Sequence, residues 1–130
     1  MARPKRKSPP KLLTEVELEL MSILWQLGEG TVREVLEELP PERDLAYTSV
    51  STIIRILEQK RLLTSRKKGR AHIYRPTMKK AEYERRSLDH LVEKVFDGAP
   101  SALVVRLLDI DNLSPEEIDA IRRAIEERLG

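Results

Sequence analysis

Residues 48–76, TSVSTIIRILEQKRLLTSRKKGRAHIYRP, change from a helical pattern to a strand pattern. In the first half, apolar residues recur at the i, i+3, i+4, i+7 spacing of one helix face: Val50, Ile53, Ile54 and Leu57. Thr48 is a candidate N-cap for this helix. In the second half, the β-compatible stretches 63–66 (LTSR) and 71–75 (AHIYR) flank a turn that contains glycine. We therefore predict a helix followed by a β-hairpin.

Two further helices are predicted upstream. Thr14 and Glu17 have the T-x-x-E spacing of a capping box at the start of one helix, and Thr31 and Glu34 repeat it at the start of the next. The order helix, helix, helix, hairpin is that of a winged helix-turn-helix. We predict this domain over residues 12–77, in a fold that is mainly α with a small β-hairpin wing.

The remainder, residues 78–130, is predicted to be helical, with three apolar stripes. A segment of about fifty residues is too short for an independent core, so we expect a second copy to bury the stripes. The prediction is a homodimer held by this segment. Its candidate interface residues are Leu88, Leu91, Val95, Leu103, Val104, Leu107, Leu108, Ile121 and Ile125.

The charge is unevenly distributed. Residues 1–11 carry five basic residues, three prolines and no acid, and we predict a flexible basic arm there. Residues 12–82 have a net charge of +1 and residues 83–130 of −4, within a total of +2. A basic front and an acidic back favour a polyanionic partner for the front part alone.

Two segments favour double-stranded DNA as that partner. The polar face of the third predicted helix is rich in hydroxyls, which allow close approach to phosphates, and its Arg55 can reach base edges. The turn RKKGR (66–70) carries four cations, which repel one another without a counterion. The candidate DNA-binding residues are Thr31, Arg33, Thr48, Ser49, Ser51, Thr52, Arg55, Arg66, Lys67, Lys68 and Arg70. A winged helix that assembles proteins without specific DNA binding remains the alternative.

The sequence gives little support for catalysis, metal binding or disulfide formation. The chain has no cysteine, which excludes disulfides, thiolate zinc sites and thiol catalysis. His72 and His90 share no metal-site spacing, and no catalytic constellation stands out. We therefore expect no enzyme, no cofactor and no metal. The apolar runs are too short to cross a membrane, so we expect a cytoplasmic protein.

Three stretches carry a family resemblance: LTEVELELMSILWQLGEGTVREVLEELP (13–40), AYTSVSTIIRILEQKRLL (46–63) and HIYRP (72–76). With them the chain resembles the penicillinase-repressor (BlaI/MecI/CopY) family from about Leu13 to Leu129. The resemblance implies a homodimer that binds a palindromic operator and represses a resistance or stress operon. It also implies that the third helix faces bases and phosphates and that Lys67, Lys68 and Arg70 form the wing.

The chain departs from that family at two points. Copper-responsive members carry a C-terminal cysteine cluster, which is missing here. β-Lactam-responsive members are inactivated by a membrane metalloprotease that cuts an Asn-Phe bond, where this chain has Arg106-Leu107. Whether a membrane metalloprotease of another specificity is a partner, and what the inducing signal is, are therefore left open.

Overall fold

The computed structural model describes residues 13–130, and the predicted basic arm lies outside them. Its elements are α1 Glu15–Leu27, α2 Val32–Glu38, α3 Tyr47–Gln59, β1 Leu63–Lys68, β2 Ala71–Pro76, α4 Lys80–Lys94, α5 Pro100–Leu108 and α6 Pro115–Leu129. The predicted fold class, mainly α with a hairpin wing, is confirmed.

Both predicted capping boxes are present. At α1, the Thr14 hydroxyl accepts a hydrogen bond from the Glu17 amide (3.2 Å), and the Glu17 carboxylate accepts one from the Thr14 amide (2.9 Å). Thr31 and Glu34 make the same exchange at α2, with distances of 3.1 and 3.0 Å. Each box satisfies two backbone donors that a helix start leaves free, so these two starts follow from local sequence.

The predicted N-cap of α3 is wrong. Ala46 occupies the N-cap position with extended backbone, and its carbonyl accepts the Val50 amide at 3.1 Å. Thr48 therefore lies inside the first turn, where its carbonyl accepts the Thr52 hydroxyl at 2.9 Å. No side chain caps this helix. The helix therefore begins at Tyr47, one residue before the threonine that the sequence placed at the N-cap.

The core of the winged helix lies where α1, α2, α3 and the start of β1 meet. Its fully buried side chains are Leu20, Met21, Leu24, Val35, Val50, Ile54 and Leu57. Three of the four apolar residues predicted on the inner face of α3 are among them, and the fourth, Ile53, is half-buried against the same cluster. Burial of this face directs the opposite face of α3 toward solvent.

The hairpin is longer and tighter than predicted. β1 and β2 pair antiparallel from Leu63↔Pro76 to Lys68↔Ala71, so Lys67 and Lys68 belong to the strand and only Gly69 and Arg70 form the turn. Gly69 has φ +63°, as the first central residue of a type II′ turn requires. This two-residue turn allows the pairing to continue to the hairpin tip. We call β1, β2 and this turn the wing.

The chain divides into two compact units between Ser87 and Leu88. The first unit includes the start of α4 because Tyr83 is buried there, with its ring centroid 5.5 Å from that of Trp25. The Tyr83 hydroxyl accepts the Leu13 amide at 3.0 Å, and the Trp25 indole donates to the Met78 carbonyl at 3.0 Å. Residues 78–87 thus pack with the winged helix in the first unit, and the domain boundary after residue 77 stays a prediction.

The second unit, residues 88–130, has no core of its own. The structure describes all of these residues, and none of them is buried. Within residues 13–130, no helix is both long enough and apolar enough to span a membrane.

Candidate nucleic-acid interface

The outer face of α3 is polar and accessible. Thr48, Ser49, Thr52 and Arg55 are exposed, and Ser51 is half-buried. The helix has no acidic residue before Glu58. Short side chains without negative charge allow a polyanion to approach the backbone of this helix closely.

Three separated segments line one groove: the start of α2, the middle of α3 and the wing. Its lining includes five of the residues proposed from sequence, namely Thr31, Arg33, Ser51, Arg55 and Arg70. The fold therefore gathers hydroxyls and guanidinium groups that lie up to about forty residues apart in the chain into one concave surface.

The groove also contains residues that sequence reasoning missed. Tyr47 is 48% exposed, and the Arg33 guanidinium lies 5.8 Å from its ring centroid, a cation–π contact. Glu58 accepts a hydrogen bond from the Ser65 hydroxyl, which joins the end of α3 to the wing. An aromatic residue directly before a run of hydroxyls was the available signal for Tyr47. No local pattern pointed to Glu58.

Tyr74 lies on the floor of this groove. Burial raises the pKa of its hydroxyl above the usual range, the nearby Glu58 adds to the rise, and Arg55 opposes it. Arg55, Glu58 and Tyr74 line the same groove. Glu58 is the only carboxylate among its described lining residues, so Arg55 lies among groups that are otherwise neutral or basic.

The cations of the wing lie on two faces. Paired residues in an antiparallel hairpin share a face, and faces alternate along each strand. Lys67, paired with His72, therefore shares the face of Ser65 and Tyr74, which is directed toward α3. Arg66 and Lys68 lie on the opposite face. The register thus divides three of the four cations that the sequence grouped together, and the fourth, Arg70, lies in the turn.

Arg66 is already held by a carboxylate. Its two terminal nitrogens donate to the two carboxylate oxygens of Glu29, at 2.9 and 2.7 Å. Those hydrogen bonds hold the pKa of Glu29 below its usual range. The neighbouring Gly30 exchanges two backbone hydrogen bonds with Tyr74 (2.9 and 2.8 Å). The α1–α2 loop therefore anchors the wing through both backbone and side chains.

Three packed helices, a hairpin wing and a cationic groove shared between them define a winged-helix DNA-binding protein. The model of the penicillinase repressor family matches residues 13–127, and the chain belongs to that family. The predicted class, a DNA-binding transcriptional repressor, is thereby confirmed.

Individual relatives agree with the family assignment. The chain is 35% identical over 117 residues to the transcriptional regulator BlaI of Mycobacterium tuberculosis, covering 88% of this chain and 83% of that one. It is 26% identical over 115 residues to the penicillinase repressor of Bacillus licheniformis, covering 88% and 90%. It is also similar to the solution structure of the DNA binding domain of the repressor BlaI, with a TM-score of 0.51 and 27% identity over 60% of this chain and 94% of that one.

Proposed function

We propose that the chain binds a pseudo-palindromic operator as a homodimer, one winged helix on each half-site, and represses an operon for resistance or stress response. The observation that carries this proposal is the groove that Arg33, Arg55 and Arg70 line together with the hydroxyl residues Thr31 and Ser51. Because a repressor must reach its operator, we propose that the protein is located in the cytoplasm.

In this proposal α3 enters the major groove, which is about 12 Å wide and admits one helix. Arg55 projects from its exposed face and reaches the O6 and N7 acceptors of a guanine. Thr48, Ser49, Ser51 and Thr52 lie against the phosphates, where small side chains let the duplex approach. Thr31 and Arg33, at the start of α2, contact the backbone beside them.

The experiment that tests this proposal compares a duplex chosen by in vitro selection with a shuffled duplex of the same composition. Specific protein–DNA complexes are typically about 10³–10⁷-fold tighter than non-specific ones. We expect fluorescence anisotropy to give a ratio in that range at physiological salt. Equal affinity for both duplexes would contradict the proposal and favour the alternative, a winged helix that assembles proteins.

Lys67 and Lys68 are expected to contact phosphates from the two faces of the wing. Replacing either with alanine should weaken binding to all sequences alike and lower the slope of log K against log salt by about one unit, since one fewer counterion is released. Lys94→Ala, which removes an exposed cation from the second unit, is the control and should leave the slope unchanged. A change in sequence preference in either wing variant would contradict a phosphate role.

Glu29 is expected to weaken non-specific binding because it neutralises Arg66. Glu29→Gln should free the guanidinium for a phosphate, and so tighten binding to any duplex and steepen the salt slope by about one unit. Glu37→Gln, at an exposed carboxylate of α2, is the matched control. An unchanged slope in Glu29→Gln would mean that Arg66 does not reach the duplex.

The second unit supports a homodimer. Six of the nine predicted interface residues are exposed and three are half-buried; the exposed ones are Leu88, Val95, Val104, Leu107, Leu108 and Ile125. A monomer would leave these apolar side chains in water, whereas a second copy can cover them around a two-fold axis. That axis would also give the operator its symmetry.

For relief of repression, we propose cleavage between Gly98 and Asn112 by a membrane metalloprotease. The exposed α5 supports this, since the Arg106 side chain is 75% accessible. A cut there would separate the winged helix from part of its dimer contacts. Immunoblots during cell-wall stress should show a shortened chain as transcription begins. Derepression with the intact chain undiminished would exclude cleavage.

A further inference from the structure

A second groove lies between α1 and the region that follows α2, with apolar and acidic parts. Its apolar floor includes Leu18, Ile23 and Leu39. Leu18 is 39% exposed, whereas Leu20 and Leu24 of the same helix are fully buried in the core. We call this surface the acidic groove, after the carboxylates on its rim.

The rim consists of Glu15, Glu19, Glu38 and Glu42, with Arg43 as its only cation. Arg43 donates two hydrogen bonds to the Glu19 carboxylate. This contact holds the pKa of Glu19 below its usual range. No ion pair between residues 13–130 involves the other three carboxylates. The groove thus combines an accessible apolar floor with an excess of negative charge: it has four carboxylates and one cation, and that cation interacts with both Glu19 and Glu15. This composition fits a basic peptide with apolar residues.

We propose that the arm, residues 1–11 of the same chain, occupies the acidic groove when no DNA is bound. The arm, MARPKRKSPPK, has five cations to pair with the rim, three prolines to lie on the floor and no acid. It joins the described chain at the start of α1, a few residues before Glu15, which is itself on the rim.

The arm is long enough for this contact. Eleven extended residues span at most about 36–40 Å. The rim and floor residues of α1, from Glu15 to Ile23, cover only about 12 Å of helix. The arm can therefore reverse direction after leaving α1 and still run the length of the groove.

A short tether makes a weak contact sufficient. It gives the arm an effective concentration on the order of millimolar near the groove, so the groove is occupied even if its intrinsic affinity for the arm is low. Because the contact is largely between charges, salt should release the arm, since the screening length falls to about 3 Å at 1 M. DNA presents a far denser array of negative charge and would compete for the same cations.

A single spin label tests the proposal in the full chain. Because the chain has no cysteine, Ser8→Cys gives one attachment site for a nitroxide. Without DNA and at low salt, we expect paramagnetic broadening of the Leu18, Ser22 and Glu42 amides. The broadening should disappear in about 1 M salt. It should also disappear in Glu15→Gln/Glu38→Gln/Glu42→Gln, but persist in the control Glu84→Gln/Glu126→Gln/Glu127→Gln, which removes equal charge elsewhere.

The proposal would be overturned by no broadening, by broadening centred on the wing, or by broadening that survives the rim substitutions. A mixture of isotope-labelled chains without nitroxide and unlabelled chains with it separates the two possible sources of the arm. Broadening in the mixture would mean that the arm comes from a second copy and would refute docking within one chain. The experiment uses no DNA, so its outcome does not depend on the proposed function.

Discussion

Replacing Leu103 and Leu107 with aspartate is expected to give monomers that bind the operator duplex about 10²–10⁴-fold more weakly. The two residues lie four apart on one face of α5, where Leu103 is half-buried and Leu107 is exposed. Carboxylates there would have to be desolvated on dimerisation, at a cost larger than the apolar contact gains. Each monomer would then hold DNA through one winged helix, without the tethered second one.

Sedimentation and fluorescence anisotropy measure both parts of this result. Leu103→Met/Leu107→Met is the matched control, because methionine keeps the volume and apolar character and should preserve the dimer. Dimers that persist in the aspartate variant would place the interface elsewhere in the chain. Monomers that bind the operator with undiminished affinity would contradict the avidity argument.

Replacing Arg55 with alanine is expected to cost about 1–3 kcal/mol of operator affinity and to relax preference at one base step. The side chain is exposed on α3 beside Ser51, in the groove that we assign to the duplex. A bidentate guanidinium–guanine contact discriminates between bases, which a phosphate contact cannot do.

Arg55→Lys separates these two roles because it keeps the charge but loses the planar pair of donors. We expect this variant to lose sequence preference while its salt slope stays close to that of the parent protein. Anisotropy with duplexes changed at single base pairs measures the preference. Equal weakening of operator and random DNA in Arg55→Ala would show that Arg55 binds phosphate.

Much of the fold followed from local patterns. The T-x-x-E pairs at Thr14 and Thr31 fixed two helix starts because the capping bonds span only three residues. The spacing of apolar residues likewise predicted the inner face of α3, because residues three or four positions apart share one face of a helix. The Thr48 signal failed because a hydroxyl residue near a helix start need not cap it. Ala46 takes the N-cap position, and Thr48 contributes its carbonyl, which accepts the Thr52 hydroxyl four residues on.

The site was harder to predict because its geometry depends on distant residues. Glu29 and Arg66 are separated by 37 positions, and nothing local to either residue indicates that the loop holds the wing. The division of the wing cations between two faces depends on the register, which the two-residue turn sets. Likewise, Tyr83 joins the winged-helix unit through contacts with Trp25 and Leu13, far from it in sequence.

The central claim is that two chains bind one pseudo-palindromic operator, with one winged helix on each half-site. The most direct test is sedimentation equilibrium of two fluorescent duplexes, one that carries the selected operator and one that carries a single half-site. We predict that two chains bind the operator duplex, that its half-site centres are separated by a multiple of about 10–10.5 base pairs, and that the single half-site is bound far more weakly. One chain on the operator duplex, with equal affinity for the single half-site, would contradict the account.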